Sequence, residues 1–237
     1  MKFSFILPVV VFGCSAAQAQ TVISFGPRLG FNASTSHYSY DRTFTTKYKP
    51  GGSVGVMAEA RRGHLALQAA ALYEQKGFRL DDEYKSGSDY SRQKDTYRLN
   101  YLTLPVQVVY TQHEDGQGVQ ILAGSYVGML LNGQLQYDDY YQNRVIGELA
   151  FRGESKIKPA STIDYPSQGA YSQRFDAGVQ AGVGYRYNNL LVQAEYSLGL
   201  RDLRPRYNDV NGNRFISPSY YNRVVQLSAS YLFSITK

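Results

Sequence analysis

The sequence predicts an all-β fold, an eight-stranded antiparallel transmembrane β-barrel, and three observations carry that prediction. The first is the stretch 175–200, FDAGVQAGVGYRYNNLLVQAEYSLGL, in which Phe175, Ala177, Val179, Ala181, Val183, Tyr185 and Tyr187 alternate with Asp176, Gly178, Gln180, Gly182, Gly184 and Arg186. Period two is a strand with two unlike faces. Asn188 and Asn189 tolerate the positive φ of a two-residue hairpin, and alternation resumes with Val192, Ala194, Tyr196, Leu198 and Leu200 against Gln193, Glu195, Ser197 and Gly199. A polar face of Gly, Gln and single charges beside an apolar face with tyrosines fits a lipid-facing wall around a polar lumen better than a solvated sandwich. The second observation is that connections alternate, short at 61–64, 113–118 and 187–190 and long from 34, 81, 133 and 201. Bacterial outer-membrane barrels have short periplasmic turns and longer extracellular loops. The third is composition: 22 Tyr, 22 Gly and no Trp, with a mean hydropathy of -0.38. That value excludes a helical membrane protein, whereas the strands of a barrel are half polar.

In chain order, Lys2, the apolar run 3–13 and Ala17-Gln18-Ala19 before Gln20 read as a signal peptide over 1–19, leaving 20–237 as one barrel domain. The sole cysteine, Cys14, lies in that leader, so a chain starting at Gln20 has no disulfide or thiol chemistry. The alternative reading makes Val11-Phe12-Gly13-Cys14 a lipoprotein box. The first strand sends Ile23, Phe25, Leu29 and Phe31 outward and Ser24, Arg28, Gly30 and Asn32 inward, with Pro27 tolerated near its start. A loop is expected over 34–49. The second strand has Val54, Val56, Ala58 and Ala60 outward and Glu59 inward; the third has Leu65, Leu67, Ala69, Ala71 and Tyr73 outward against Gln68, Glu74 and Lys76. The charged stretch 81–94 reads as a second loop. Leu102, Leu104, Val106, Val108 and Tyr110 mark the fourth strand, where Pro105 implies a bulge or an unpaired position. The fifth follows the turn HEDGQG with Val119, Ile121, Ala123, Val127, Met129 and Leu131. The loop 133–172 is the longest, and an extra strand over 145–151 would make ten strands the alternative count. The hairpin supplies strands six and seven, 201–221 is the fourth loop, and Val225, Leu227, Ala229, Tyr231, Phe233 and Ile235 close the barrel.

Two sets of residues follow from this layout. Arg28, Glu59, Glu74, Lys76, Arg186 and Glu195 fall on inward faces; an eight-stranded lumen is filled by side chains, and unpaired charge there is costly, so an internal salt-bridge network is expected. Tyr110, Tyr185, Tyr187, Tyr231 and Phe233 gather at the short-turn end as a periplasmic aromatic girdle.

The chain resembles the PorT-like outer-membrane β-barrel family of Gram-negative bacteria. The resemblance rests on LYEQKGF at 72–78, NYLTLPVQVVY at 100–110, the AGVGYRY run ending at Tyr187, YSLGLRDL at 196–203 and the closing VVQLSASYLF. It implies a porin-family barrel in the outer membrane and leaves activity open, because a shared fold does not transfer a role. The last strand also resembles an assembly signal, with Gln226, Tyr231 and Phe233 in place and Ser228 where Gly is usual. The barrel-assembly machinery is its expected reader.

Chemistry is sparse. His64 and His113 lie in periplasmic turns, and only His37 lies in an outer loop, where Asp81, Asp82, Asp138 or Asp139 would be the partners of a protease-like arrangement. Surface charge is the default for all of them. The run 208–213 has oxygen side chains but lacks the D-x-D-x-D-G spacing and distal Glu of a calcium loop. No catalytic residue, metal site or cofactor is expected. The formal charge of +6 becomes +5 without Lys2, and scattered basic residues argue against nucleic acid. The expected partners are outer-membrane lipid and lipopolysaccharide, the assembly machinery, and a loop ligand or protein of unspecified kind. The expected role is structural or surface-binding with a plugged lumen, against a small-solute porin or a component of secretion or envelope assembly.

Overall fold

The alternation of apolar and polar residues is realised as a ring of long strands in a computed structural model, which describes residues 21–39, 46–87, 89–145, 147–164, 169–208, 214–215 and 219–235. The leader residues Ala17, Ala19 and Gln20 lie outside the described residues. In order, the strands are β1 (Val22–Ser39), β2 (Thr46–Arg62), β3 (Leu65–Ser86), β4 (Asp89–Thr111), β5 (Gly118–Asn143), β6 (Gly147–Pro159), β7 (Thr162–Asp164), β8 (Ala170–Ser172), β9 (Phe175–Tyr187), β10 (Leu190–Gly199), β11 (Arg206–Asn208), β12 (Arg214–Phe215), β13 (Ser219–Tyr231) and β14 (Phe233–Ile235). Antiparallel pairing runs β1-β2-β3-β4-β5-β9-β10-β13 and returns to β1, an eight-strand ring. The closing seam runs from Arg28 opposite Ser230 to Ser39 opposite Ser219, and β14 continues it at Ile23 opposite Ile235.

The pleat sorts the side chains as the sequence pattern requires. Along β10, Leu190, Val192, Ala194 and Tyr196 are exposed on the outside while Leu191, Gln193, Glu195 and Ser197 are buried. From Leu190 to Leu200 the outward apolar face spans ten residue steps, which at about 3.3 Å each and a tilt of about 40° gives a belt ~25 Å tall. Turn chemistry fixes the short end: Asn188 has φ of 53°, and Gly63 in the β2–β3 turn has φ of 57°, both in the region that Asn and Gly enter at least cost. Pro105 interrupts the β3–β4 ladder, which pairs Ala69 with Val106 and then Leu72 with Thr103, because proline has no N–H to donate.

The long loops expected at 81–94 and the start of 133–172 are corrected by the structure, and of the loop expected at 34–49 the residues 34–39 and 46–49 belong to β1 and β2, while 40–45 lie outside the described residues. Pairing continues through them: β3 and β4 stay in register to Ser86 opposite Asp89, and β5 stays paired with β4 to Gln142 opposite Tyr90. Polar residues there signal water on both faces of a sheet, and water does not break an antiparallel ladder. The extra strand expected at 145–151 is β6, which starts at Gly147 and pairs with β5 outside the ring. It does not raise the ring above eight strands. No helix among the described residues is long and apolar enough to cross a membrane, which has no bearing on a barrel.

Candidate functional site

The interior is built in levels. Near the short-turn end Met57, Leu191 and Leu232 form a buried apolar cluster. Arg186 reaches Glu59 at 2.6 Å; Gln68 donates to the other Glu59 oxygen at 2.7 Å and accepts from Gln193 at 2.9 Å. In the next level Arg28 pairs with Glu195, whose second oxygen accepts from Gln107 at 2.7 Å. Above it Lys76 lies 3.1 Å from Glu74 and 3.9 Å from Asp176, and also sits over the rings of Tyr101 and Tyr126, 5.3 and 4.7 Å from their centroids. Asn222 donates to Asp176 at 2.9 Å. The six charged residues singled out from sequence thus meet in three pairs, Arg28–Glu195 and Arg186–Glu59 between different strands and Lys76–Glu74 within β3, each desolvated and each held by an amide or a second charge. The added member is Asp176, fully buried. Its inward parity in β9 is the signal that places it there.

At the other end the mouth is covered by aromatic rings. Phe78 stacks on Tyr97 with centroids 4.3 Å apart and packs edge-on to Tyr38 at 5.9 Å; Tyr38 stacks on Tyr220 at 5.6 Å. Tyr220 donates to Ser172 at 2.7 Å, and the buried Leu203 lies beside them in the connection from β10 to β11. Beyond the mouth β3, β4, β5 and β6 continue as a four-stranded sheet that stands clear of the ring. Cross-strand ions hold it: Lys47 of β2 pairs with Asp81 at its base, and within it Asp138 takes Arg152 at 2.6 Å and Arg92 at 3.7 Å. The hydrogen bonds from Lys47 and Arg152 hold the Asp81 and Asp138 carboxyls below their ordinary value. At the tips Tyr84, Tyr90, Tyr141 and Leu149 line a crevice of about 340 Å³. The edge of β6 over 147–155 faces no further strand among the described residues, since β8 pairs only with Ile157–Pro159.

Within that sheet Asp95 is buried, accepting one bond from Gln93 at 2.9 Å. Burial, with repulsion from Asp139 adding to it and the Gln93 bond opposing, pushes its carboxyl up to about 6. That lies above the unfolded value of about 3.9, so the folded state binds the extra proton. The stabilisation is complete below about pH 4 and is lost as pH rises through about 6, to the extent of roughly 2–3 kcal/mol. Amide exchange over 89–98, corrected for intrinsic rate, is expected to show protection falling between pH 4 and 7 in the parent and staying flat in Asp95→Asn.

The five girdle residues Tyr110, Tyr185, Tyr187, Tyr231 and Phe233 are all exposed on the outside at the short-turn end. Tyr231 and Phe233 touch edge-on at 5.1 Å, and Phe25 extends the row at 6.2 Å from Phe233. Sequence reasoning passed over the matching outward ring at the far end, where Phe31, Tyr73 and Phe175 are exposed; their outward parity next to polar stretches is the signal for it. Of the assembly-signal residues, Gln226 faces inward and donates to Ser53 at 2.9 Å. His64 lies against the Thr111 carbonyl at 3.0 Å and 3.6 Å from Glu114, and His113 against the Gln117 carbonyl at 3.1 Å. No hydrogen bond or ion pair among the described residues joins His37 to Asp81, Asp82, Asp138 or Asp139. No group of three His, Cys, Asp or Glu among them could hold a metal ion; the 208–213 run falls mostly outside them.

An apolar belt on a closed eight-strand ring, with charge confined to the inside, defines a transmembrane β-barrel of the bacterial outer membrane. The family described as outer membrane protein beta-barrel domain matches residues 17–204, and the chain belongs to that family. No curated protein matches. Among solved structures the chain is similar to Ail, the attachment invasion locus protein of Yersinia pestis, in complex with the heparin analogue sucrose octasulfate, at 10% identity over 89% of this chain and 99% of that one, with a TM-score of 0.45. It is similar to Neisserial surface protein A at 13% identity over 88% and 97%, with a TM-score of 0.42. It is also similar to the N-terminal β-barrel domain of Pseudomonas aeruginosa OprF at 13% identity over 87% and 97%, with a TM-score of 0.27. In barrels of this membrane the short turns face the periplasm, so the projecting sheet is extracellular.

Proposed function

We propose that the protein is a surface-binding barrel with a plugged lumen, in which the projecting β3–β6 sheet meets the partner and the ring serves as its anchor. The observation that carries this reading is the contrast between the two ends of the molecule. Inside, the cavity among Glu74, Lys76, Tyr126, Gln180, Glu195 and Gln226 is about 10 Å³, roughly the space of one water. Outside, a tyrosine-lined crevice and a strand edge unpaired among the described residues offer rigid amphipathic area and main-chain hydrogen bonds. No catalytic role follows from either end. The quoted motifs support a PorT-like branch of the family, the leader over 1–19 supports export, and the terminal strand with Gln226, Tyr231 and Phe233 supports delivery by the barrel-assembly machinery. Lipopolysaccharide is the lipid neighbour in the outer leaflet.

The refolded protein, verified by heat-modifiable gel mobility, is expected to be electrically silent in a planar bilayer. Cells displaying it are expected to lose adhesion to an immobilised sister-cell surface or extracellular matrix when 82–93 is excised, with mobility unchanged. Steady conductance would replace this reading by the small-solute porin; unchanged adhesion would move the role toward secretion or envelope assembly.

A further inference from the structure

On the outside of the barrel, where the projecting sheet leaves the ring, β5 exchanges partners. It pairs with β9 up to Met129 opposite Phe175 and with β6 from Gly133 opposite Ile157. The β4–β5 ladder carries a bulge at the same height, between Asn100 and Tyr101, and a bulge bends its strand and re-aims the side chains on it. The result is a groove of about 840 Å³, lined on its polar side by Arg98, Lys156 and Lys158. Its one carboxylate, Glu154, already accepts from Gln134 at 2.5 Å and Gln136 at 2.7 Å, and the three cations make no ion pair among the described residues. Asn100 donates to its ladder partner Asn132 at 2.7 Å, and both line the groove.

The height of the groove decides what it can hold. Its lower wall is Leu131, and Leu102, paired with Met129 and Tyr73, is the last outward apolar residue of β4. Asn100 and Arg98 follow two and four residues higher, about 7 and 13 Å along the strand. That is the interfacial layer just above the hydrocarbon. A soluble anion would find three cations here, but only a lipid would also use the apolar wall beneath them. We propose that the groove seats the phosphate-bearing headgroup of an outer-leaflet glycolipid, with Arg98, Lys156 and Lys158 around the phosphate and the acyl chains running down over Leu131 and Leu102. The assignment deepens the lipopolysaccharide neighbour named above and is independent of whether the lumen conducts or the sheet adheres. Clustered cations at a membrane surface contribute about 1 kcal/mol each, and the guanidinium of Arg98 adds a planar fork suited to phosphate.

The test uses the refolded mature chain in detergent micelles, titrated with bisphosphorylated lipid A, enzymatically dephosphorylated lipid A or inorganic phosphate, with binding read by native mass spectrometry. The expected result is a stoichiometric lipid A complex that Arg98→Gln/Lys156→Gln/Lys158→Gln weakens about a hundredfold. Dephosphorylated lipid A binds the parent as weakly as lipid A binds the triple variant, and inorganic phosphate at equal concentration does not bind. Lys85→Gln, a charge removed at the tip of the β3–β4 hairpin, leaves lipid A binding unchanged. All variants are exposed substitutions, and their folding is checked by gel mobility. Equal binding by parent and triple variant, or equal binding of the dephosphorylated lipid, overturns the proposal; binding of inorganic phosphate alone overturns the lipid as occupant. Failure of the surface-binding reading shows in conductance and adhesion, which these substitutions do not touch.

Discussion

Glu195→Leu is expected to destabilise the folded barrel by about 3–5 kcal/mol. The change strands the Arg28 guanidinium, 2% exposed, in the middle of the wall, and it removes the acceptor of Gln107. With the lumen plugged as proposed, no water replaces the lost partner, and the full desolvation cost of an isolated cation is expected. The compensated variant Arg28→Met/Gln107→Leu/Glu195→Leu removes all three polar groups at once. It is expected within about 1 kcal/mol of the parent or above it, because well-packed apolar replacements of buried ion pairs are often neutral or stabilising. Urea unfolding in lipid vesicles, followed by gel mobility and far-ultraviolet circular dichroism, measures both; the chain has no tryptophan to report by fluorescence. A single variant as stable as the parent would show that water reaches Arg28, and the plugged interior would fall with that result.

The second large effect is steric. Gly26 lies in β1 at the closing seam, where β13 ends and β14 begins, and a Cβ there would stand 1.7 Å from the Tyr231 carbonyl oxygen and 2.8 Å from its carbon. Leu232 has left the ladder at this point, donating to the Asn189 carbonyl at 2.7 Å while Asn189 returns a side-chain bond to the Leu232 carbonyl at 2.7 Å. The seam cannot widen without losing both. Gly26→Ala is therefore expected to cost about 3 kcal/mol, and Gly26→Leu to leave a chain that never acquires the shifted mobility of a closed barrel. Gly52→Ala is the control, since the nearest atom to its added Cβ is the Gly30 oxygen at 3.7 Å, an ordinary contact with an effect within about 0.5 kcal/mol. Normal folding of Gly26→Leu would mean that the seam closes in a different register.

The parts legible in the sequence are those where one side of a strand meets lipid. Hydrocarbon and lumen impose opposite demands on alternate residues, so Leu190–Gly199 and its neighbours advertise both faces, and Glu59, Glu195 and Arg186 are placed inward by parity alone. Above the belt that contrast vanishes. Asp81–Ser86 and Asp89–Lys94 are wet on both faces, so their polarity looks like a loop, although the ladder between them is unbroken. Asp95 is illegible for a related reason: it falls just past the stretch 81–94 read as loop and before the alternation that marks the fourth strand, so no face is assigned to it. The groove around Arg98 was out of reach differently, because it depends on β5 exchanging β9 for β6, a choice of partners dozens of residues away that no local pattern records. Pro105 is the opposite case, a missing donor whose effect on pairing is local and therefore readable.

The way the lumen is wired also sets an order of events. Arg28 in β1 meets Glu195 in β10, and Glu59 in β2 meets Arg186 in β9. In the ring, β10 reaches β1 only through β13, and β9 lies one strand further on. An open sheet that entered the hydrocarbon before its edges met would carry these charges without their partners, at several kcal/mol each. The charges thus act as a checkpoint: insertion into lipid is favourable only for a chain that has already curled on itself, and a half-curled intermediate is held at the water boundary.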